Sequence, residues 1–271
     1  REVAIKKLRK MQYHVGSPGE RVDSANTDKY YDTVPDVDTK RFFKSYRAAL
    51  QASAHRSWTD QKRWIFDETN VNAYYIRILN TVVIPTGILQ HPFFNVDNPT
   101  AFNYGGVGSI IGHEIMHGYD VGGTEYDDEG KEREWATPAF LKKYTERALC
   151  LRRSHKAAAA IKARQAVIND TVDSENLADL VGSALAHVAF SSLPPVERNA
   201  KLPGLNMTAE QLFFISYCAK WCETQSVRSA RYAAGRLRCI VPLMNMAEFS
   251  DAFRCAPKSP MNPTDKCAFW S

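Results

Sequence analysis

The chain has 271 residues, 44% hydrophobic and 24% charged, with a net charge of +5 and a pI near 8.8, enough for one large domain or two modest ones. Its basic residues are interspersed, with no run of five or more, which argues against a nucleic-acid platform. No apolar stretch reaches the ~18 residues of a membrane span and no secretory h-region is present. The chain starts at Arg1, and we expect a piece of something longer.

Residues 1–35 are charged, with a breaker at Gly16-Ser17-Pro18-Gly19, and residues 23–38 read as a polar, tyrosine-rich loop. In residues 39–58, Phe42, Phe43, Tyr46, Ala49 and Leu50 recur near i, i+3, i+4, i+7. That spacing predicts an amphipathic helix with a core-facing stripe. Residues 71–78 and 81–84 are rich in Val, Ile and Tyr and read as short strands around a turn at Leu79-Asn80. Asn103-Tyr104-Gly105-Gly106-Val107-Gly108 leads into a helix; without a preceding strand its glycines serve close packing, not a nucleotide loop.

Residues 122–134 are acidic and glycine-containing, hence an exposed loop. Pro138 suits the first position of a helix running to about Cys150, and residues 155–168, rich in Ala and Lys, read as helix. Asp173 or Ser174 is a cap for a helix over 175–190, broken by Leu193-Pro194-Pro195. Thr208-Ala209-Glu210-Gln211 resembles a capping box before the apolar run 212–221. The tail from Pro257 is punctuated by proline.

The helix after Gly108 carries His113-Glu114-Ile115-Met116-His117. Residues i and i+4 differ by about 40° around a helix axis, so both imidazoles point one way, one turn apart, and share an ion. Glu114 beside them reaches a water on that ion, as a zinc hydrolase requires. A third ligand must come from far along the chain. Glu175, in Glu175-Asn176-Leu177-Ala178-Asp179, is the best candidate. One of Glu175 and Asp179 binds metal while the other accepts the second N–H of a ligating histidine; Asp120 does the same for the other histidine. Spacing alone equally allows Glu175 to be a helix-N-terminal acid favoured by the dipole.

Six cysteines, Cys150, Cys218, Cys222, Cys239, Cys255 and Cys267, all lie in the second half. Cys218 and Cys222 stand at i, i+4 without a matching pair, so disulfides in an oxidising compartment are the better reading. Asn169-Asp170-Thr171 and Asn206-Met207-Thr208 are glycosylation sequons that agree with secretion, whereas proline blocks those at Asn98 and Asn262.

Val71-Asn72-Ala73-Tyr74-Tyr75, Ile84-Pro85-Thr86-Gly87-Ile88-Leu89-Gln90-His91-Pro92-Phe93-Phe94, Asn103 to Gly108, His113 to Asp120, Glu175 to Asp179 and Cys267-Ala268-Phe269-Trp270 occur in that order. As a set they resemble the neprilysin / endothelin-converting-enzyme family of zinc metallopeptidases (M13). The resemblance is close from about residue 69 to the end. It implies an α+β, predominantly helical, thermolysin-like zincin catalytic domain with a small sheet over 69–271, with 1–68 as the tail end of the N-terminal peptidase region.

By position, the resemblance implies that His113, His117 and Glu175 hold one Zn2+ per chain and that Glu114 is the general base. Asp179 and Asp120 would orient the histidines. Asn72 and Ala73 would bind the peptide backbone as an added strand. Arg238 would hold a substrate carbonyl and favour its oxyanion. Ile88 and Phe93 would wall the pocket for the residue after the cut bond. The implied pairing Cys150–Cys267 ties the chain end back to the catalytic region. Cys222 and Cys255 match cysteines whose partners lie in the family's N-terminal half, a partner this chain lacks. Cys218 and Cys239 have no family counterpart; a bond between them is one reading, and the pairing of Cys218, Cys222, Cys239 and Cys255 stays open.

Three positions depart from the family. Tyr232 stands where a histidine, six residues before Arg238, donates to the tetrahedral oxyanion; either its phenol substitutes or the donor is lost. Ser109 and Lys220 stand where apolar residues are usual and make the pocket more polar, unless Lys220 is a solvated surface charge. The sequence therefore reads as a zinc-dependent endopeptidase cleaving small peptides on the amino side of hydrophobic residues. It is expected to be secreted or at the cell surface, with membrane contact only through an absent N-terminal anchor. The alternative is a catalytically impaired homologue that keeps zinc and binds peptides.

Overall fold

The computed structural model describes residues 1–17, 23–59, 66–159, 171–223 and 231–270. In chain order the elements are α1 (Glu2–Lys10), β1 (Gln12–Val15), α2 (Ser24–Tyr31), α3 (Phe42–Thr59), β2 (Tyr74–Ile76), β3 (Thr81–Ile84), α4 (Thr100–Asn103) and α5 (Ser109–His117). They continue with α6 (Pro138–Ala159), α7 (Val172–Ser191), α8 (Pro195–Arg198), α9 (Ala209–Ala219), α10 (Gly235–Met244) and α11 (Ala247–Ala252). The architecture is α+β and mainly helical, with one three-stranded sheet ordered β1-β3-β2. Contacts divide the chain into two compact units: Arg1–His14, Asn72–Ile84 and Ile88–Ser271, and Val15–Val71 with Pro85–Gly87.

In the first unit the hairpin follows the expected turn. Asn80 takes the left-handed conformation (φ 48°) that asparagine tolerates, and β2 pairs antiparallel with β3, Tyr74 opposite Val83 and Ile76 opposite Thr81. The first strand is shorter than expected because Arg77–Leu79 winds into a 3-10 turn. β3 is buried along its whole length, while β2 is half-buried at the sheet edge.

α5 follows a π-helical turn at Tyr104–Gly108 and crosses α7 at Gly112 and Gly182. A Cβ on Gly112 would lie 2.5 Å from the Gly182 carbonyl oxygen, and one on Gly182 would lie 2.5 Å from the His113 nitrogen. This backbone-to-backbone approach brings the two helices' polar faces together. The helix expected over 175–190 begins earlier, at Val172, with Thr171 as its N-cap residue. Asp173 and Ser174, expected as caps, instead lie buried in its first turn.

Two further expectations are corrected: the stretch 23–38, expected as loop, contains α2 (Ser24–Tyr31), and the segment 122–134 is not exposed throughout. The charged N-terminal stretch forms α1, whose Lys7 is wholly buried and donates from Nζ to the carbonyls of Gly123 (2.8 Å) and Tyr126 (2.7 Å). Burial lowers its pKa to about 8. These bonds hold down part of the segment expected as exposed loop: Gly122 to Thr124 and Asp127-Asp128 are buried, and the exposed residues are Glu125, Glu129 and those from Lys131 to Glu134.

α6 runs on to Ala159, past the expected end near Cys150; the rest of the helix expected over 155–168 lies outside the described residues, as does Asn169. The Thr208 capping box is present, Thr208 accepting from the Gln211 N–H and Gln211 from the Thr208 N–H. Disulfides join Cys150 to Cys267 and Cys218 to Cys239. Among the described residues no helix is long and apolar enough to cross a membrane.

In the second unit Asp23 caps α2, accepting from the N–H groups of Ala25 and Asn26. α3 forms where the periodicity predicts it, but its stripe does not face a core. Phe42 is 76% exposed, and Phe43, Tyr46 and Leu50 are exposed too. Phe42 stacks on Tyr46 within the helix itself. The period specifies which side of a helix is apolar, not that another element covers it; α2 likewise contributes no buried residue.

Candidate metal centre

The glycine-mediated crossing sets the one-face residues of α5 against those of α7. His113 and His117 stand at i, i+4 on α5; Glu175, Asp179 and Gly182 stand at i, i+4, i+7 on α7. The two imidazole Nε2 atoms lie 3.0 Å apart. Glu175 Oε2 is 3.1 Å from the first and 3.6 Å from the second. One ligand atom from each residue falls within 4.8 Å of the others.

Two imidazole nitrogens and one carboxylate oxygen are a zinc donor set, and donors 2.0–2.1 Å from a tetrahedral ion lie about 3.3 Å from one another. The observed spacings fit that group.

Each ligand has an outer partner. His113 Nδ1 lies 2.9 Å from Asp179 Oδ1, and His117 Nδ1 lies 2.6 Å from Asp120 Oδ2. Both Nε2 atoms are thereby directed inward. Asp179 is itself gripped by Arg238, whose Nε and Nη2 donate at 2.7 and 2.8 Å. Asp120 also accepts from the Gly123 N–H at 2.6 Å and lies 3.5 Å from Arg77. Glu175 gives its second oxygen to Arg231, whose Nε donates at 2.6 Å.

Charge follows this wiring. Burial works against His117 protonation, but Asp120 and Glu175 outweigh it and raise its pKa to about 10. His113 is raised in the same way, against burial, by Asp179 and Glu175. Burial favours neutral Glu175, yet the hydrogen bonds from both histidines hold it well below the carboxylate range. Burial likewise opposes charge on Asp179, and Arg238 and His113 hold it well below. A metal bound there would take the place of the protons that these imidazoles hold, so its binding would release protons. Glu114 is the exception: burial pushes its pKa up despite both neighbouring histidines, and the Tyr75 N–H donates to it. A carboxylate so tuned suits proton transfer.

The structure thus gathers His113, Glu114, His117, Asp120, Glu175, Asp179 and Arg238 into one buried site. Tyr232 stands at its rim, with the Arg238 guanidinium 4.8 Å from its ring centre; burial raises its pKa and keeps the phenol protonated. Asn72 is exposed and Ala73 buried where the chain approaches β2. Ile88 is buried and Phe93 half-buried in one apolar cluster with Val107, Ile110 and Trp221.

Lys220 is not the solvated charge that a surface lysine would be. It is 9% exposed, and its Nζ donates to Gly105 O (3.2 Å), Gly106 O (3.4 Å) and Ser109 Oγ. Sequence reasoning missed Arg231 and Arg77, which carry no motif, and the Tyr75 N–H, a backbone donor whose direction no side-chain pattern reports. Gly182 was detectable, since it continues the Glu175–Asp179 face by one more turn.

The family description "Peptidase family M13" matches residues 72–269. Neprilysin-2 of Caenorhabditis elegans is 32% identical over all of this chain and 38% of its own length. Endothelin-converting enzyme 1 of Mus musculus is 32% identical over 94% of this chain and 35% of its own. The chain therefore spans little more than a third of these curated relatives. Among solved structures, that titled "Haemonchus galactose containing glycoprotein complex" superposes with a TM-score of 0.79 at 26% identity, covering 99% of this chain and 44% of that one.

Proposed function

The chain belongs to peptidase family M13, and from that premise we propose that it is the catalytic region of a zinc-dependent metalloendopeptidase, acting on small peptides. The observation that carries this reading is the convergence of His113, His117 and Glu175 within 4.8 Å, with Glu114 buried beside them. Bound zinc supplies Lewis acidity toward a carbonyl oxygen and lowers the pKa of water. Glu114 takes the proton from the attacking water and delivers it to the leaving amine. Arg238, oriented by its two bonds to Asp179, turns its remaining N–H groups to the substrate carbonyl, and the Tyr232 hydroxyl donates to the developing oxyanion.

A peptide adds as a strand along the edge led by Asn72 and Ala73; β2 as an edge strand supports this. Ile88 and Phe93 receive a hydrophobic residue after the cut bond, so cleavage falls on that residue's amino side. The region 69–271 carries this machinery.

We assign the protein to the extracellular space or the cell surface. Two disulfides and an exposed sequon asparagine, Asn206, support that. Among the described residues Cys222 and Cys255 are free thiols, which supports a disulfide-linked N-terminal half as partner. The second reading, an impaired homologue that binds peptides, draws on Tyr232, where a neutral phenol stands in place of the expected imidazole.

Quenched-peptide cleavage with and without a zinc chelator separates the two. Chelator-sensitive cleavage is expected, with Glu114→Gln lowering kcat by about 10²–10⁴ while zinc is retained. Zinc at one per chain with no chelator-sensitive turnover sinks the enzyme reading, and a strong rise in turnover for Tyr232→His identifies the tyrosine as the defect.

A further inference from the structure

The segment that leads into α10 reaches α7 at two points. Arg238, on α10, holds Asp179 through two N–H groups. Arg231, seven residues earlier, donates from Nε to Glu175 Oε1 at 2.6 Å. Glu175 and Asp179 are one helical turn apart, so two arginines of one segment grip two successive carboxylates of one helix.

The segment's position is fixed independently. The Gly235 N–H donates to Glu223 Oε1 at 3.0 Å, a Cβ on Gly235 would lie 2.5 Å from the Trp221 carbonyl, and Cys239 is bonded to Cys218 on α9.

The consequence falls on the carboxylate. Glu175 is 2% exposed, and its two oxygens are divided: Oε2 faces the imidazoles at 3.1 and 3.6 Å, and Oε1 faces Arg231. A carboxylate held in this way offers a metal one oxygen, not two, and keeps a coordination position open for water and substrate, as catalytic zinc needs. Each ligand then has its own orienting group: Asp179 for His113, Asp120 for His117 and Arg231 for Glu175.

We propose that Arg231 is a positioning residue that restricts Glu175 to one-oxygen metal coordination. This rests on the reading of His113, His117 and Glu175 as the metal site. Arg231 is 60% exposed on its side chain, so its effect is on the geometry of Glu175 and not on the stability of the fold.

The test uses the 271-residue chain with Arg231→Met and Arg231→Lys, reading Zn2+ affinity by chelator competition, the visible spectrum of the Co2+-loaded protein, and the unfolding midpoint. In Arg231→Met, Zn2+ affinity is expected to fall by about tenfold, the lower end of what losing such an outer partner costs. The Co2+ absorption weakens as a second carboxylate oxygen joins the ion, and the unfolding midpoint is unchanged. Arg231→Lys restores most of the affinity and the absorption.

Unchanged Zn2+ affinity and Co2+ spectrum in Arg231→Met overturn the proposal. So does an equal loss in both variants with a lowered unfolding midpoint, which marks a merely structural role. A wild-type chain that binds no Zn2+ overturns the metal-site reading itself, whereas zinc binding without turnover counts against the peptidase alone.

Discussion

Ser109 and His113 stand one turn apart on the same face of α5, and the buried charges next to them are handled in opposite ways. Around His113 each arginine faces a carboxylate: Arg238 meets Asp179, Arg231 meets Glu175, Arg77 approaches Asp120. Next to Ser109, Lys220 meets two carbonyls, a hydroxyl and the faces of Tyr217 (4.2 Å) and Trp221 (5.3 Å). Burial accordingly pushes the Lys220 pKa well below the ordinary lysine value, while Arg238 stays charged because Asp179 outweighs its burial. The difference teaches which buried charges the chain needs. Paired charges orient ligands; an ammonium among neutral acceptors bears its desolvation with little return.

The comparison breaks most readily at Asp179. Asp179→Ala leaves Arg238 buried without its carboxylate and His113 without its orienting partner. A loss of about 3–5 kcal/mol in unfolding free energy is expected, read by urea denaturation. A loss under about 1 kcal/mol, the worth of a surface pair, would mean that the network is not the compensated one described.

His155 on α6 offers a second uncompensated group. It is 7% exposed, and among the described residues neither ring nitrogen has a hydrogen-bond partner. Burial lowers its pKa from 6.5 to about 4, although the charges of Asp179 and Asp173 pull the other way. The unfolded chain takes up this proton near pH 6.5 and the folded one only near 4, so stability is lost as pH falls through that window. The gap is worth about 3 kcal/mol at its low end. Unfolding curves between pH 7 and 4 should show a fall that is smaller in His155→Phe by about that amount; parallel pH profiles in the two proteins refute it.

How much of this was legible follows the same division. The face-sharing pairs could be read because helical spacing dictates them: His113 with His117, Glu175 with Asp179; that Glu175 joins the two histidines came from the family resemblance, since spacing alone equally allowed a helix-N-terminal acid. α3 was legible as a helix and illegible as a surface, since Phe42, Phe43, Tyr46 and Leu50 have the period of a buried stripe and are exposed. Arg231 and Lys220 were illegible for another reason. A lone cation has no periodicity, and whether it ends in water, on a carboxylate or among carbonyls depends on elements distant in sequence: α7 for Arg231, the turn before α5 for Lys220. Lys7 went unread for the same cause, because its acceptors, Gly123 and Tyr126, lie over a hundred residues away.

The smallest expected effect tests the other half of the comparison. Lys220→Met keeps the length and removes the charge. One of the two carbonyls that Lys220 contacts keeps a side-chain donor, because the single Ser109 hydroxyl proton reaches Gly105 O (2.7 Å) or Gly106 O (2.9 Å). The methionine thioether suits the Tyr217 and Trp221 rings that now face an ammonium. Replacing a buried charge by an apolar side chain of similar volume is commonly neutral or stabilising, so Lys220→Met is expected to raise the unfolding free energy by about 1 kcal/mol, measured by urea denaturation at pH 7. The same variant in Asp179→Ala measures the coupling between the two neighbourhoods, since Asp179 and Arg238 both act on the Lys220 ammonium. Strong destabilisation by Lys220→Met alone would mean that the carbonyls and rings compensate the ammonium as fully as Asp179 compensates Arg238, and the contrast between the two neighbourhoods of α5 would disappear.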